Sequence, residues 1–250
     1  MAIGFLLLNQ GHTGLIKMSR KIRILVVEDE AAIRNGLLDV FVYHGYDVDA
    51  AVDGKEGLQK ALTGQFDLVL LDVMLPNMNG FDICNRIRAQ DRDQPIIMLT
   101  AKSSDDDIIQ GLSLGADDYV AKPFSVAQLV LRVQAVLRRA RLDLDNNAVI
   151  RLADSVHIDT LNLNGKRGDE SLVFTRREVE ILQYLHAHAD RPVSREELLT
   201  KVWGYAKHLD LETRTVDIHI AKLRRKIEHD PASPTHIVTV RGAGYRLLSE

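Results

Sequence analysis

The stretch "ILVVEDEAAIRNG", residues 24–36, decides the first half of the fold. Ile24 to Val27 is a run of branched apolar residues without alternation, which suits a strand buried on both faces of a parallel sheet. The run breaks into three carboxylates, Glu28, Asp29 and Glu30. Carboxylates that close repel and raise one another's pKa, so positive charge should sit among them. Similar runs recur at 46–50, 67–71, 95–99 and 118–121, separated by segments of helical period at 31–44, 54–62 and 125–139. That alternation predicts an α/β, five-stranded, doubly wound parallel sheet with helices on both faces, its ligand site lying at the carboxyl ends of the strands.

The strand ends carry the chemistry. Glu28 and Asp29 follow the first strand, Asp72 ends the third, Thr100 follows the fourth and Lys122 the fifth. Three converging carboxylates suit a hard divalent cation such as Mg²⁺, which takes one or two carboxylates and keeps water or phosphate oxygens. With a hydroxyl and a lysine they make a site for phosphoryl transfer. Asp72 is the candidate nucleophile, and Lys122 with the metal would neutralise the transferred group. Glu30 reads as a helix-start carboxylate favoured by the helix dipole.

The motifs "VVEDE", "LLDVMLPNMNG", "MLTA" and "GADDYVAKPF" together resemble the receiver domain of two-component response regulators. The resemblance implies that a sensor histidine kinase phosphorylates Asp72. It implies Mg²⁺ ligation by Asp29, Asp72 and the Met74 carbonyl, with Glu28 helping through water. It marks Thr100 and Tyr119 as a switch pair and suggests a cis peptide between Lys122 and Pro123. Glu28 stands where many members have Asp. Aspartate-based phosphatases share the strand-end Asp, Thr and Lys but place an acid two residues after the nucleophile. That position is Met74 here, so a self-phosphorylating, slowly dephosphorylating switch is expected rather than an enzyme with turnover.

Beyond residue 140 the pattern changes. Residues 141–149, "RLDLDNNAV", carry turn chemistry and read as a linker between a receiver at 18–140 and a second domain at 150–250. Short β-like pieces are expected at 150–152, 156–159, 161–163 and 172–174. Three helices come next. The first two open on capping boxes, Thr175 with Glu178 and Ser194 with Glu197, and the third starts at Glu212 or Thr213 and runs to about Glu228. The closing "HIVTVRGAGYRLL" reads as a hairpin.

In the third helix Val216, Ile220, Leu223 and Ile227 fall on one face and are core candidates, as is Trp203. Lys222, Arg224, Arg225 and Lys226 concentrate positive charge there, which suits groove entry and phosphate contact. Bulk charge says nothing of the kind. Residues 1–140 hold 15 Lys+Arg against 18 Asp+Glu, and 141–250 hold 17 of each.

"LTKVWGYAKHLDLETRTVDIHIAKLRRKIE" and "TVRGAGYRL" resemble the winged helix-turn-helix effector of the OmpR/PhoB family, an α+β domain. The resemblance implies binding to double-stranded DNA. Asp217 and Lys222 would face bases, Arg214, His219 and Arg224 phosphates, and Arg241 the minor groove. Residues 204–210 match the loop through which relatives touch RNA polymerase. It also implies a homodimer on phosphorylation, through the receiver's fourth helix, fifth strand and fifth helix. Asp117, Asp118, Arg132 and Arg139 match the cross-dimer ion pairs. Ile108 and Gln128 replace a charged pair there, so a less ionic interface is expected. A phosphorylation-independent DNA-binding protein is the competing reading.

The single cysteine, Cys84, excludes an internal disulfide and a Cys-based zinc site. The apolar run Phe5–Leu8 is too short to span a bilayer. A cytoplasmic protein is expected. Residues 1–17 differ in character from the rest of the chain and read as a disordered tail or an upstream start, with Met18 as the alternative beginning.

Overall fold

The computed structural model describes residues 20–100, 111, 114–139, 149–153, 156–205 and 213–248, the Arg139 side chain excepted. Its first domain is a five-stranded, all-parallel sheet: β1 (Arg23–Val27), β2 (Asp47–Ala51), β3 (Leu68–Asp72), β4 (Ile96–Thr100) and β5 (Asp118–Ala121), in the order β2-β1-β3-β4-β5. Helices α1 (Ala31–Tyr43), α2 (Gly54–Ala61), α3 (Gly80–Gln90) and α4 (Val126–Arg139) accompany it. β1, β3 and β4 bury both faces as expected, whereas β2, expected to be apolar, is an edge strand of sequence DVDAA that is buried only at Ala51, because one of its sides has no neighbouring strand. Leu25, Val27, Val69 and Leu71 belong to one core and Ile24, Val26, Leu68 and Leu70 to another. Strand order reverses between β1 and β3, which is where a crevice opens in such sheets.

The second domain begins with a four-stranded antiparallel sheet, β6 (Val149–Leu152), β7 (Val156–Asp159), β8 (Asn164–Arg167) and β9 (Glu170–Val173). Helices α5 (Arg176–Ala187), α6 (Arg195–Lys201) and α7 (Arg214–Ile227) come next, and then the hairpin β10 (Ile237–Val240) and β11 (Gly244–Leu247). Strand β8 departs from the expectation. The segment expected to be a strand, 161–163, is a turn in which Leu163 adopts φ 52° and is buried. The real strand is polar and lies in a hairpin closed by Gly168 and Asp169. Thr175 and Glu178 form the full capping box. Ser194 caps α6, but Glu197 turns instead to Arg191 and Tyr184.

The hairpin joins the helices through backbone bonds between Val193 and Tyr245. Gly244 makes this approach possible: a Cβ there would lie 2.1 Å from the Val193 carbonyl oxygen. Core residues of α7 are the expected Val216, Ile220, Leu223 and Ile227, packed with Trp203. No helix among the described residues is long and apolar enough to cross a membrane.

Candidate functional site

Parallel pairing brings the carboxyl ends of β1, β3, β4 and β5 to one edge. Val27 pairs with Leu71, Asp72 with Leu99 and Thr100 with Ala121, so the residues at or just past these ends form one pocket. Glu28 is fully buried and Asp72 and Thr100 nearly so, while Asp29 is exposed. Carboxylate oxygens of Glu28, Asp29 and Asp72 all lie within 4.8 Å of one another. The Lys122 ammonium bridges two of them, 2.7 Å from Glu28 Oε2 and 2.7 Å from Asp72 Oδ2. The other oxygen of Asp72 accepts from the Met74 backbone N–H at 3.0 Å. The Lys122–Pro123 peptide is cis.

The electrostatics follow from burial. Desolvation raises the Glu28 carboxyl above its ordinary value; the hydrogen bond from Lys122 opposes this, and repulsion from Asp72 adds to it. Burial alone would lower Lys122, but its bonds to Asp72 and Glu28 outweigh that and raise it. Among the described residues three carboxylates face one ammonium, so the pocket is short of positive charge. That shortage, with oxygen-only donors, fits a hard divalent cation.

Backbone packing holds the nucleophile in place. Asn79 caps α3 through the Asp82 N–H. Gly80 lets that helix start against β3, since a Cβ there would lie 2.2 Å from the Asp72 carbonyl oxygen. The "LPNMNG" stretch therefore has a steric reason for ending in glycine. Tyr119 is turned inward and packs in the core with Met98 and Cys84. Position 74, where a phosphatase acid would stand, holds a methionine with a largely exposed side chain.

The second candidate surface is α7 with its hairpin. Arg241 is exposed in the β10–β11 turn, and Asp217, Ala221 and Arg225 lie on the open side of the helix. Arg225 is a candidate DNA contact that the family resemblance does not single out; its position four residues after Ala221 is the signal that reveals it. Arg214, at the first position of α7, is half-buried. Asp217 Oδ1 accepts from Arg195 Nε and from the Tyr245 hydroxyl, each at 2.6 Å, which locks helix, helix and hairpin together.

Three expected phosphate or base contacts need correction in this structure. His219 is fully buried, with its ring 5.3 Å from that of Trp203, because its position adjoins the core stripe rather than solvent. Arg224 donates to the Ile237 carbonyl and the Thr239 hydroxyl, tying α7 to the hairpin. Lys222 is largely covered and pairs with Glu178 at 3.1 Å.

The expected dimer charges are likewise taken up within the chain. Asp117 pairs with Arg88 at 2.9 Å and Asp118 with Arg132 at 2.7 Å, all four side chains covered. Gln128 is exposed. Ile108 and the Arg139 side chain lie outside the described residues.

Comparison with known proteins agrees with both halves. Residues 24–134 match the response regulator receiver domain, and residues 169–247 match the C-terminal domain of transcriptional regulatory proteins. The chain is 41% identical over 231 residues to a probable transcriptional regulator, ycf27, of Porphyridium aerugineum, covering 90% of this chain and 95% of that one. It is 40% identical over 230 residues to the sensory transduction protein RegX3 of Mycolicibacterium smegmatis, covering 90% and 98%. Among solved structures, a mutant form of RitR matches with a TM-score of 0.69 and 30% identity, over 92% of this chain and 100% of that one.

Proposed function

Because the chain belongs to the OmpR/PhoB family of two-component response regulators, and is a phosphorylation-responsive transcription regulator, we propose that Asp72 is its phosphoryl acceptor and that α7 with the hairpin reads DNA. The observation that carries this is the Glu28–Asp29–Asp72 cluster with Lys122 at 2.7 Å.

In the transfer, a carboxylate oxygen of Asp72 attacks phosphorus. The O–P bond forms as the N–P bond to the kinase histidine breaks, and the imidazole leaves. Glu28, Asp29 and Asp72, with the Met74 carbonyl that the family uses, would hold Mg²⁺, which when bound neutralises charge on the phosphoryl oxygens. Lys122 already touches Asp72 and remains as the protein's own counter-charge. Thr100 and Tyr119 would sense the new charge from β4 and β5. The pocket places no acid at position 74, so hydrolysis of the acyl phosphate is slow and the signal persists.

The phosphorylated receiver then dimerises, which makes DNA binding bivalent and raises its strength without any new base contact. On α7, Ala221 and Arg225 are the exposed positions, Arg214 and Asp217 are half-buried beside them, and Arg241 extends from the hairpin toward the minor groove. A cytoplasmic site of action, a sensor histidine kinase as donor, and contact of the α6–α7 loop with RNA polymerase belong to the same reading.

The test is direct. Incubation with phosphoramidate and Mg²⁺ should place one base-labile, hydroxylamine-sensitive acyl phosphate on Asp72, located by peptide mass analysis after borohydride trapping. Asp72→Ala should take up none. Labelling at another residue, or undiminished labelling of the variant, would remove Asp72 from the role.

A further inference from the structure

The turn that carries Glu28 and Asp29 is held from within the helix that follows it. Helices α2, α3, α5 and α6 open on side-chain caps from Asp53, Asn79, Thr175 and Ser194. Helix α1 does not: Glu30 stands at its N-cap without a side-chain cap bond. Arg34, one turn into α1, reaches back instead. Its Nη1 donates to the Glu28 carbonyl and to the Asp29 carbonyl, each at 2.9 Å. A terminal guanidinium nitrogen carries two N–H groups, so one nitrogen serves both carbonyls. Another bond in the turn, from the Glu30 N–H to Glu28 Oε1 at 3.3 Å, is long and occupies the carboxylate itself. The Arg34 bonds leave both acidic side chains free.

The place of Arg34 argues for a role beyond helix stability. A cation near the start of a helix meets the positive end of the helix dipole, where carboxylates are favoured. Among the described residues no carboxylate pairs with the Arg34 guanidinium. Its bonds go to the main chain of two residues whose side chains belong to the clustered carboxylates. The two carbonyls lie in the peptide planes on either side of Asp29. Fixing both planes fixes the backbone dihedrals of Asp29, and with them the direction in which its side chain leaves the chain. Asp29 needs this more than its neighbours do. Glu28 and Asp72 are buried and bonded to Lys122, whereas Asp29 is exposed.

We propose that Arg34 is a positioning residue of the phosphorylation pocket: by clamping the carbonyls on both sides of Asp29 it holds that carboxylate ready for Mg²⁺. The proposal deepens the reading above and rests on its assignment of Glu28, Asp29 and Asp72 to the metal. A ligand already held in place gives up less freedom when the cation binds, so the clamp acts on metal affinity. Arg34 makes no bond to Asp72, so it does not act on the phosphoryl group directly. Charge and position have opposite signs here. Removing a cation makes the pocket more negative, which by Coulomb attraction alone would tighten Mg²⁺ binding. Removing the clamp loosens Asp29 and weakens it.

The test uses the full chain with Mg²⁺ alone as the probe. Arg34→Met keeps the apolar stem and removes both bonds, whereas Arg34→Lys keeps a cation with several N–H donors. Arg34 is half-buried, so the fold should tolerate both changes. By titration calorimetry Arg34→Met should bind Mg²⁺ about tenfold more weakly, the order expected for one hydrogen bond involving a charged group. Arg34→Lys should stay close to wild type. In phosphoramidate labelling the Mg²⁺ concentration that gives half the maximal rate should rise by the same factor in Arg34→Met, while the rate at saturating Mg²⁺ is unchanged. Equal or tighter Mg²⁺ binding by Arg34→Met, or a lowered rate at saturating Mg²⁺ with unchanged affinity, would overturn the proposal. A wild-type chain that binds no Mg²⁺ would instead count against the assignment of the pocket itself, and the proposal would fall with it.

Discussion

Two buried glutamates show how this molecule separates a site from a scaffold. Glu28 and Glu178 are both fully buried, and each meets lysine ammonium groups. The charge of Glu178 is balanced within the chain by two ammonium groups, although its Oε1 has no hydrogen-bond donor of its own. Lys222 and Lys226 lie 3.1 and 2.6 Å away, and its carboxylate also accepts from the Thr175 N–H at 2.8 Å. Burial pushes its carboxyl up, but the two lysines and these bonds outweigh burial and bring it below its ordinary value. Glu28 is left short. It shares one ammonium with Asp72, and its carboxyl stays raised. A scaffold charge is compensated inside the chain, whereas a functional charge waits for a ligand to complete it.

The contrast is open to attack at several points, the largest effect first. Glu178→Gln leaves two lysines facing each other without their carboxylate and weakens the cap of α5. The effector domain should lose about 3 kcal/mol, read from urea unfolding. Lys122→Met removes the ammonium that Glu28 and Asp72 share. Stability without metal should fall by about 2–3 kcal/mol, and much of that should return with millimolar Mg²⁺. Equal losses with and without Mg²⁺ would mean that no cation enters the pocket.

Glu28→Gln should act with the opposite sign. A folded pKa above the ordinary 4.5 means that stability is full below pH 4.5 and is lost as pH rises through the raised folded value. Gln imitates the protonated form. The metal-free variant should therefore be more stable than wild type at pH 7, yet bind Mg²⁺ more weakly, by calorimetry. For Glu178 the folded pKa is lowered, so its contribution is present above pH 4.5 and disappears as pH falls through the folded value.

The smallest effect is expected at Glu197. Its bonds to Arg191, opposed by burial and helped by Tyr184, bring the carboxyl down to about 2. Its stabilising contribution should be present above the ordinary carboxyl value of 4.5 and fade toward pH 2, and Glu197→Gln should flatten that acid limb of a circular-dichroism titration. Arg191 is well exposed, so the change should shrink in high salt.

Most of the receiver is legible because a parallel sheet buried on both faces writes itself as unbroken apolar runs, and strand ends are then the place to look for chemistry. Glu28, Asp29, Asp72, Thr100 and Lys122 all emerge that way. The polar strand β8, Asn164–Arg167, carries no such signal. The Gly168–Asp169 pair is the cue that reveals its hairpin. His219 and Arg224 mislead for a different reason. A helix of period 3.6 has flanks as well as faces, and which flank is covered depends on Trp203, Thr239 and the receiver, none of them near in sequence. Asp117 and Asp118 look free for a partner because nothing local reveals that Arg88, Arg132 and Tyr205 come round to meet them.

The central claim is that charge placed on Asp72 controls DNA binding. The measurement that meets it most directly follows DNA affinity and molecular size with Mg²⁺, before and after beryllofluoride, for wild type and Asp72→Ala. Beryllofluoride mimics the aspartyl phosphate. Dimerisation and tighter binding in the wild type, with neither in the variant, is the predicted result. Equal binding by both proteins, with or without the mimic, would contradict it and leave the receiver as a constitutive assembly module.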